Sequence, residues 1–145
     1  MAKGTGAEIF RVKTQLLSAG RSDTLLAKTD LMTVRIKCYA EGGENALHAH
    51  PAEDHTFVVL DGAARFVGHN GDMGVLTRNE GIMLPKGTYY RFESCGQVPL
   101  VLLRVGAAKE RPEVARINPD GAPLPGNSPE NKHEQGVPIE GRFYE

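Results

Sequence analysis

The sequence predicts an all-β sandwich or barrel, and three observations carry that expectation. Short apolar runs recur at close spacing between residues 31 and 106, Gly, Asp, Asn and Pro punctuate them, and helical apolar periodicity is weak throughout. With 145 residues the chain has material for one core and not for two independent ones.

Taken in order, "AEIFRVKT" (7–14) and "TLLAKTD" (24–30) read as short strands in an N-terminal portion, 1–30, that joins the barrel. The barrel core is expected over 31–106. It opens with "LMTVRIKCYA", where Met32, Val34, Ile36 and Cys38 alternate with Thr33, Arg35, Lys37 and Tyr39. Side chains two apart share a face of a strand, so the apolar row is expected to be buried and Arg35 solvated. "TFVVLDG", "AARFVG", "GVLT", "GIMLP", "TYYRFES" and "PLVLLRVG" follow as further strands. Asn70-Gly71 suits a two-residue hairpin turn, because both types tolerate positive φ. Only "AAKERPEVAR" (107–116) suits a short helix, with Pro112 opposing it. Residues 107–145 hold six of the nine prolines in a polar setting that cannot build a second core. They read as an arm or tail, whose final Ile139, Phe143 and Tyr144 suit docking on the domain or on a partner subunit.

Seventeen basic and eighteen acidic residues give a formal charge of -1, with no Lys/Arg block or basic aromatic platform. Nucleic acid is therefore not an expected partner. No signal-like N-terminus and no run near ~18 apolar residues appears, so a soluble, cytoplasmic protein is expected, with no membrane partner. The two cysteines, Cys38 and Cys95, read as reduced thiols.

"HAHPAEDHTF" places three of the five histidines within eight residues. In a strand His48 and His50 project side by side. Pro51 ends or bends that strand, and His55 returns across the bend. Three imidazoles so arranged suit a divalent ion with an open side. A metal-free pocket for a polar or anionic ligand and a hydrogen-bonded structural cluster are the other two readings. His69 and His133 are expected in solvent, without a role.

Here the sequence resembles the cupin family. The family's first motif runs glycine, five residues, His-any-His, three or four residues, glutamate, six residues, glycine. Gly42, His48, His50 and Gly62 stand at those spacings, with His55 in the glutamate's place. The second motif runs glycine, five residues, Pro-any-Gly, two residues, histidine, three residues, asparagine. "NEGIMLPKGTYYRFES" supplies Pro85 and Gly87, while Asn79, Tyr90 and Ser94 occupy the glycine, histidine and asparagine positions.

The resemblance implies a double-stranded β-helix, or jelly roll, whose open end holds the site. Met32, Val34, Ile36, Cys38, Phe57, Val59 and Phe92 would wall its pocket. It implies His48, His50 and His55 as ligands of a divalent transition-metal ion, Fe, Zn, Ni or Mn. Asp54 is the alternative to His55 at the shorter spacing, and Glu53 is expected in solvent. Tyr90 either fills the volume of the missing imidazole or serves as catalytic residue, coordinating or exchanging a proton. Neutral ligands leave the ion's charge intact and favour an anionic, oxygen-donor small-molecule substrate. Arg104 is a candidate for holding a substrate carboxylate; the facing of Arg91 stays open. An enzyme is thus implied, of dioxygenase type or a non-redox isomerase, lyase or cyclase, with a non-catalytic binding or sensing protein as the alternative. A homodimer is implied as well, using outward Val58 and Leu60 and the tail.

Overall fold

The computed structural model describes residues 6–40, 46–110, 114–124 and 136–145. Gly42, Pro112 and His133 lie outside them. The described residues form ten strands and no helix. They are β1 (Thr14–Ala19), β2 (Arg21–Lys28), β3 (Met32–Tyr39), β4 (Asp54–Asp61), β5 (Ala63–Gly68), β6 (Gly71–Thr77), β7 (Gly81–Leu84), β8 (Tyr90–Ser94), β9 (Leu100–Ala107) and β10 (Val137–Tyr144). A five-stranded sheet, ordered β2-β3-β9-β4-β7, faces a three-stranded sheet, β6-β5-β8, and β1 and β10 pair as a separate ribbon. This is the all-β sandwich expected from the alternation, in the jelly-roll form that the resemblance implies.

Between the two larger sheets lies an aromatic core. Phe57 from β4 meets Phe66 from β5 at 5.6 Å and Phe92 from β8 at 5.3 Å, while Tyr39 from β3 meets Phe92 edge-on at 4.7 Å. Val59, Leu100 and Leu102 close it. Burying each Phe contributes about 1.5–3 kcal/mol, so this cluster is the main glue between the sheets.

A second core occupies the opposite face of the five-stranded sheet. Leu17, Ile36, Cys38, Ala40 and Val101 form it, with Leu26, Leu60 and Tyr144 packed alongside. The β1–β10 ribbon supplies Leu17 and Tyr144, so the C-terminal arm docks on its own chain, through pairs such as Thr14↔Tyr144 and Gln15↔Phe143. The Gln15 amide adds bonds of 2.8 Å to the carbonyls of Ile139 and Arg142.

Several local expectations are corrected. Residues 7–13 form no strand; pairing begins at Thr14, where β10 supplies a partner. The hairpin loop is His69-Asn70, one residue earlier than expected, because Gly68 pairs with Gly71 and the positive φ, 111°, falls on Gly71. No helix forms among the described residues of 107–116, since β9 runs to Ala107 and Ala108 donates to the Leu31 carbonyl instead. Leu60 is not free for a partner, because it packs against the second core.

Two motif positions gain a physical account. Gly62 has φ 79°, and a Cβ there would stand 2.8 Å from the Pro99 carbonyl oxygen, so only glycine fits. Asn79, at the motif's glycine position, takes φ 70°, a left-handed conformation that glycine adopts freely and that Asn tolerates better than most residues.

Candidate metal centre

The two motifs are stitched together by backbone bonds. His48 N donates to the Tyr90 carbonyl at 3.0 Å and Tyr90 N to the His48 carbonyl at 2.8 Å. Gly87, at the end of the Pro85 turn, donates to the His50 carbonyl at 2.9 Å. The phenol of Tyr90 is thereby set against the histidine segment, where the family pattern has its third imidazole.

His55 enters on β4 directly opposite Leu84 on β7 and Gly106 on β9. It is buried, as are Phe57 and Val59 on the same parity. Asp54 points away, exposed, and accepts a bond from Lys86 N at 2.8 Å. Of the two, it is His55 that turns inward beside His50.

The rings of His48, His50 and His55 do converge. Centroids of His48 and His50 are 5.0 Å apart, those of His50 and His55 4.1 Å, and that of Tyr90 4.5 Å from His48. Glu53 corrects the expectation of a solvated side chain. It lines the cavity, and its Oε1 contacts His55 Nε2 directly. Among the described residues the group whose donor atoms all lie within 4.8 Å of one another is His50, Glu53 and His55. His48 stands beside this set. Two imidazole nitrogens and one carboxylate oxygen at that spacing fit one divalent transition-metal ion, whose bonds to such donors are roughly 2.0–2.2 Å.

Backbone carbonyls fix the imidazole tautomers. His48 Nδ1–H donates to Ala46 O at 2.6 Å and His50 Nδ1–H to Ala115 O at 3.1 Å. Because a carbonyl only accepts, each ring keeps its Nε2 lone pair for the cavity. Protonation is opposed as well. Burial, reinforced by Arg116, lowers the His48 pKa to about 3, against a smaller upward push from the Ala46 bond. For His50, burial and then the neighbouring His55 and His48 lower it to about 2. Burial also lowers His55, although Glu53 opposes the shift. Neutral imidazoles are the form that ligates metal.

The Tyr90 hydroxyl lies 3.3 Å from His50 Nε2 and 3.4 Å from His55 Nδ1. Its single proton thus faces two acceptors. Burial pushes the phenol well above its ordinary value, outweighing the opposing charges of Arg104 and Arg116. It is a held proton and not a phenolate.

These groups open on a cavity of about 560 Å³. The expected apolar wall is reversed on β3: Thr33, Arg35, Lys37 and Tyr39 line the cavity, whereas Ile36 and Cys38 face the second core. The ribbon covers the apolar row, which leaves the polar row for the site. Arg35 is consequently not in free solvent; it pairs with Asp23 at 3.3 Å, as does Lys37 at 3.1 Å. Phe57, Phe92 and Arg104 line the cavity as anticipated. Arg91 instead pairs with Glu93 at 3.7 Å, and His69 is exposed. Sequence reasoning missed Glu53 and Arg116. Glu53 precedes β4 by one residue, so strand parity does not place it.

The fold is thus a jelly roll whose cavity carries a His/His/Glu group able to hold a metal ion. Residues 35–106, about half of the chain, match the Cupin_2 family model, described as the cupin domain, and the protein belongs to the cupin family. It is similar to the tetracenomycin polyketide synthase protein TcmJ of Streptomyces glaucescens, 29% identical over 91 residues that cover 62% of this chain and 60% of that one. It thus spans less than two thirds of that relative's length. Among solved structures, the Cnp3 cupin domain of Schizosaccharomyces pombe superposes with a TM-score of 0.57 at 16% identity, covering 61% of each chain. A conserved protein with a double-stranded β-helix domain from Klebsiella pneumoniae gives 0.56 at 22% identity, covering 61% of this chain and 77% of that one. No described helix is long and apolar enough to cross a membrane.

Proposed function

We propose that the protein is a metal-dependent cupin enzyme acting on an oxygenated small molecule in the cytoplasm. The observation that carries this reading is the convergence of His50, Glu53 and His55 donor atoms within 4.8 Å of one another beside the cavity. Two imidazoles and a carboxylate are the donor set of non-haem Fe(II) oxygenases, which favours dioxygenase-type chemistry over an isomerase, lyase or cyclase. His48 lines the same cavity with its Nδ1 committed to Ala46, and keeps Nε2 for the ion.

When bound, the ion supplies Lewis-acid polarisation of an oxygen donor and, as Fe(II), a redox couple. The chain does the rest. Phe57 and Phe92 keep water from the inner wall. Tyr90, within 3.4 Å of both His50 and His55, holds a proton at its hydroxyl for delivery to a substrate oxygen. The likeness to a polyketide synthase protein supports a substrate with several carbonyl or phenolic oxygens.

Elemental analysis of native protein, beside His50→Ala, Glu53→Gln and His55→Ala, tests the site; one ion per chain in the native protein and loss in the variants is expected. Oxygen uptake by the Fe(II) form with diketone and catechol-type compounds tests the chemistry. No uptake, with conversion by the zinc or nickel form, selects the non-redox branch. The direct His55–Glu53 contact satisfies both groups without an ion and favours a second reading, a non-catalytic binding protein; a stoichiometric metabolite with no metal would establish it. A homodimer belongs to the same proposal. Exposed Ile9 and Phe10 support it, and light scattering at micromolar concentration reads the mass.

A further inference from the structure

The cavity concentrates positive charge that the chain as a whole does not carry. Arg21, Arg35, Lys37, Arg104 and Arg116 line it, against two carboxylates, Asp23 and Glu53. With neutral histidines that is five minus two, a formal +3, in a protein whose net charge is -1. Register makes the crowding unavoidable. Arg35 on β3 sits directly opposite Arg104 on β9, a like-charged cross-strand pair that is unfavourable by itself.

The two carboxylates do not neutralise all of it. Asp23 is shared between Arg35 and Lys37, and those two hold it below the usual carboxylate range against the upward push of its own burial. Glu53 is engaged with His55. Arg104 Nη1 stands 3.4 Å from His55 Nε2, but that nitrogen's proton is directed at Glu53, so Arg104 finds no acceptor there. The Nε atoms of Arg104 and Arg116 are buried with no hydrogen-bond partner among the described residues. An unmet donor on a buried guanidinium loses its hydration with nothing returned, which native structures avoid.

We propose that Arg104 and Arg116 form an oxyanion cradle on the cavity wall, which binds the carboxylate or phosphate of a small organic acid whose oxygenated end faces His50, Glu53 and His55. Planar guanidinium edges match the paired oxygens of either group. One such ligand supplies acceptors for the unmet Nε donors, offsets the like-charged Arg35–Arg104 pair and reduces the excess of positive charge. This deepens the proposed function by naming the substrate class, and rests on it only for where the substrate's other end lies.

Titration calorimetry on the full chain, with inorganic phosphate and with succinate, tests the cradle; one site per chain, weakened by added salt, is expected for at least one of them. Arg104→Gln and Arg116→Gln should each weaken binding by about tenfold or more, and Arg78→Gln on the exposed β6–β7 turn should leave it unchanged. A readout on the unaltered protein stands beside the variants in case they fold poorly. Phosphate or succinate should protect Arg104 and Arg116 from an arginine-selective dicarbonyl reagent, read by peptide mass. Binding that survives metal chelation separates the cradle from the ion site, so that failure of either is visible alone. The cradle is overturned if neither anion binds at tens of millimolar, if binding vanishes on chelation, or if both variants bind as the parent does.

Discussion

Gly106 offers a direct way to disturb the candidate metal centre without touching a donor. It lies on β9 between Thr33 on β3 and His55 on β4, directly opposite both. A Cβ there would stand 3.2 Å from Glu53 Cδ, from His55 Cδ2 and from Thr33 Oγ1. These contacts are shorter than ordinary van der Waals separations, so each neighbour must yield by a few tenths of an ångström. The Glu53 side chain can swing; the His55 ring, buried and held against Tyr90 and Glu53, has little room. Overpacking of this kind costs about 1–2 kcal/mol, which for a chain of this size lowers Tm by about 2–8 °C. Displacing a ligand and its partner should weaken ion binding by about 10- to 100-fold. Gly68→Ala is the control, because its nearest neighbours are the movable end of Met73, at 3.1 Å and beyond. Competition with a chromogenic chelator reads the affinity and scanning calorimetry the stability. Should Gly106→Ala bind the ion within twofold of the parent and melt with it, the packing account of the centre is wrong.

Three further outcomes are expected. Tyr90→Phe removes the hydroxyl shared by His50 and His55 while keeping the ring in the aromatic core; turnover should fall by about 10²-fold or more with ion content unchanged, and undiminished turnover would remove Tyr90 from the chemistry. Acid should destabilise the metal-free protein. Above about pH 6.5 His48 and His50 are neutral folded or unfolded, but below it the unfolded chain takes up protons that the native sites refuse until about pH 3 and about pH 2. Urea midpoints should therefore drop as pH falls from 6.5 towards 3, and His48→Gln should flatten that slope; a pH-independent midpoint would contradict it. Deleting residues 137–145 should uncover the second core, so that a thiol reagent labels both Cys38 and the already exposed Cys95, where the native chain gives one fast thiol.

Much of the barrel is legible in the sequence because strands β3 to β9 each announce themselves by alternation and by the turn residues between them. Parity with Phe57 and Val59 favours His55 over Asp54 without deciding it, because Val58 and Leu60 on the other parity are apolar too. What alternation cannot say is which side of β3 holds the site. Both faces of that strand are covered, Ile36 and Cys38 by the β1–β10 ribbon and Lys37 and Tyr39 by the cavity, and the covering elements come from opposite ends of the chain. Glu53 precedes the strand by one residue, so its inward turn depends on the bend at Pro51 rather than on a repeating pattern. Arg116 has no local signature at all. It reaches the cavity because neighbouring Ile117 forms a backbone bridge to Ala49, a long-range contact that no sequence period encodes.

That bridge has a further consequence. The carbonyl that sets the His50 tautomer belongs to Ala115, two residues before Ile117, in a stretch that follows the barrel and is not part of any sheet. Replacing Ile117 by proline would remove its N–H bond to the Ala49 carbonyl and loosen the hold on that oxygen. The imidazole would then be free to invert. A single backbone pairing beyond the barrel therefore governs which nitrogen an imidazole within it turns to the cavity.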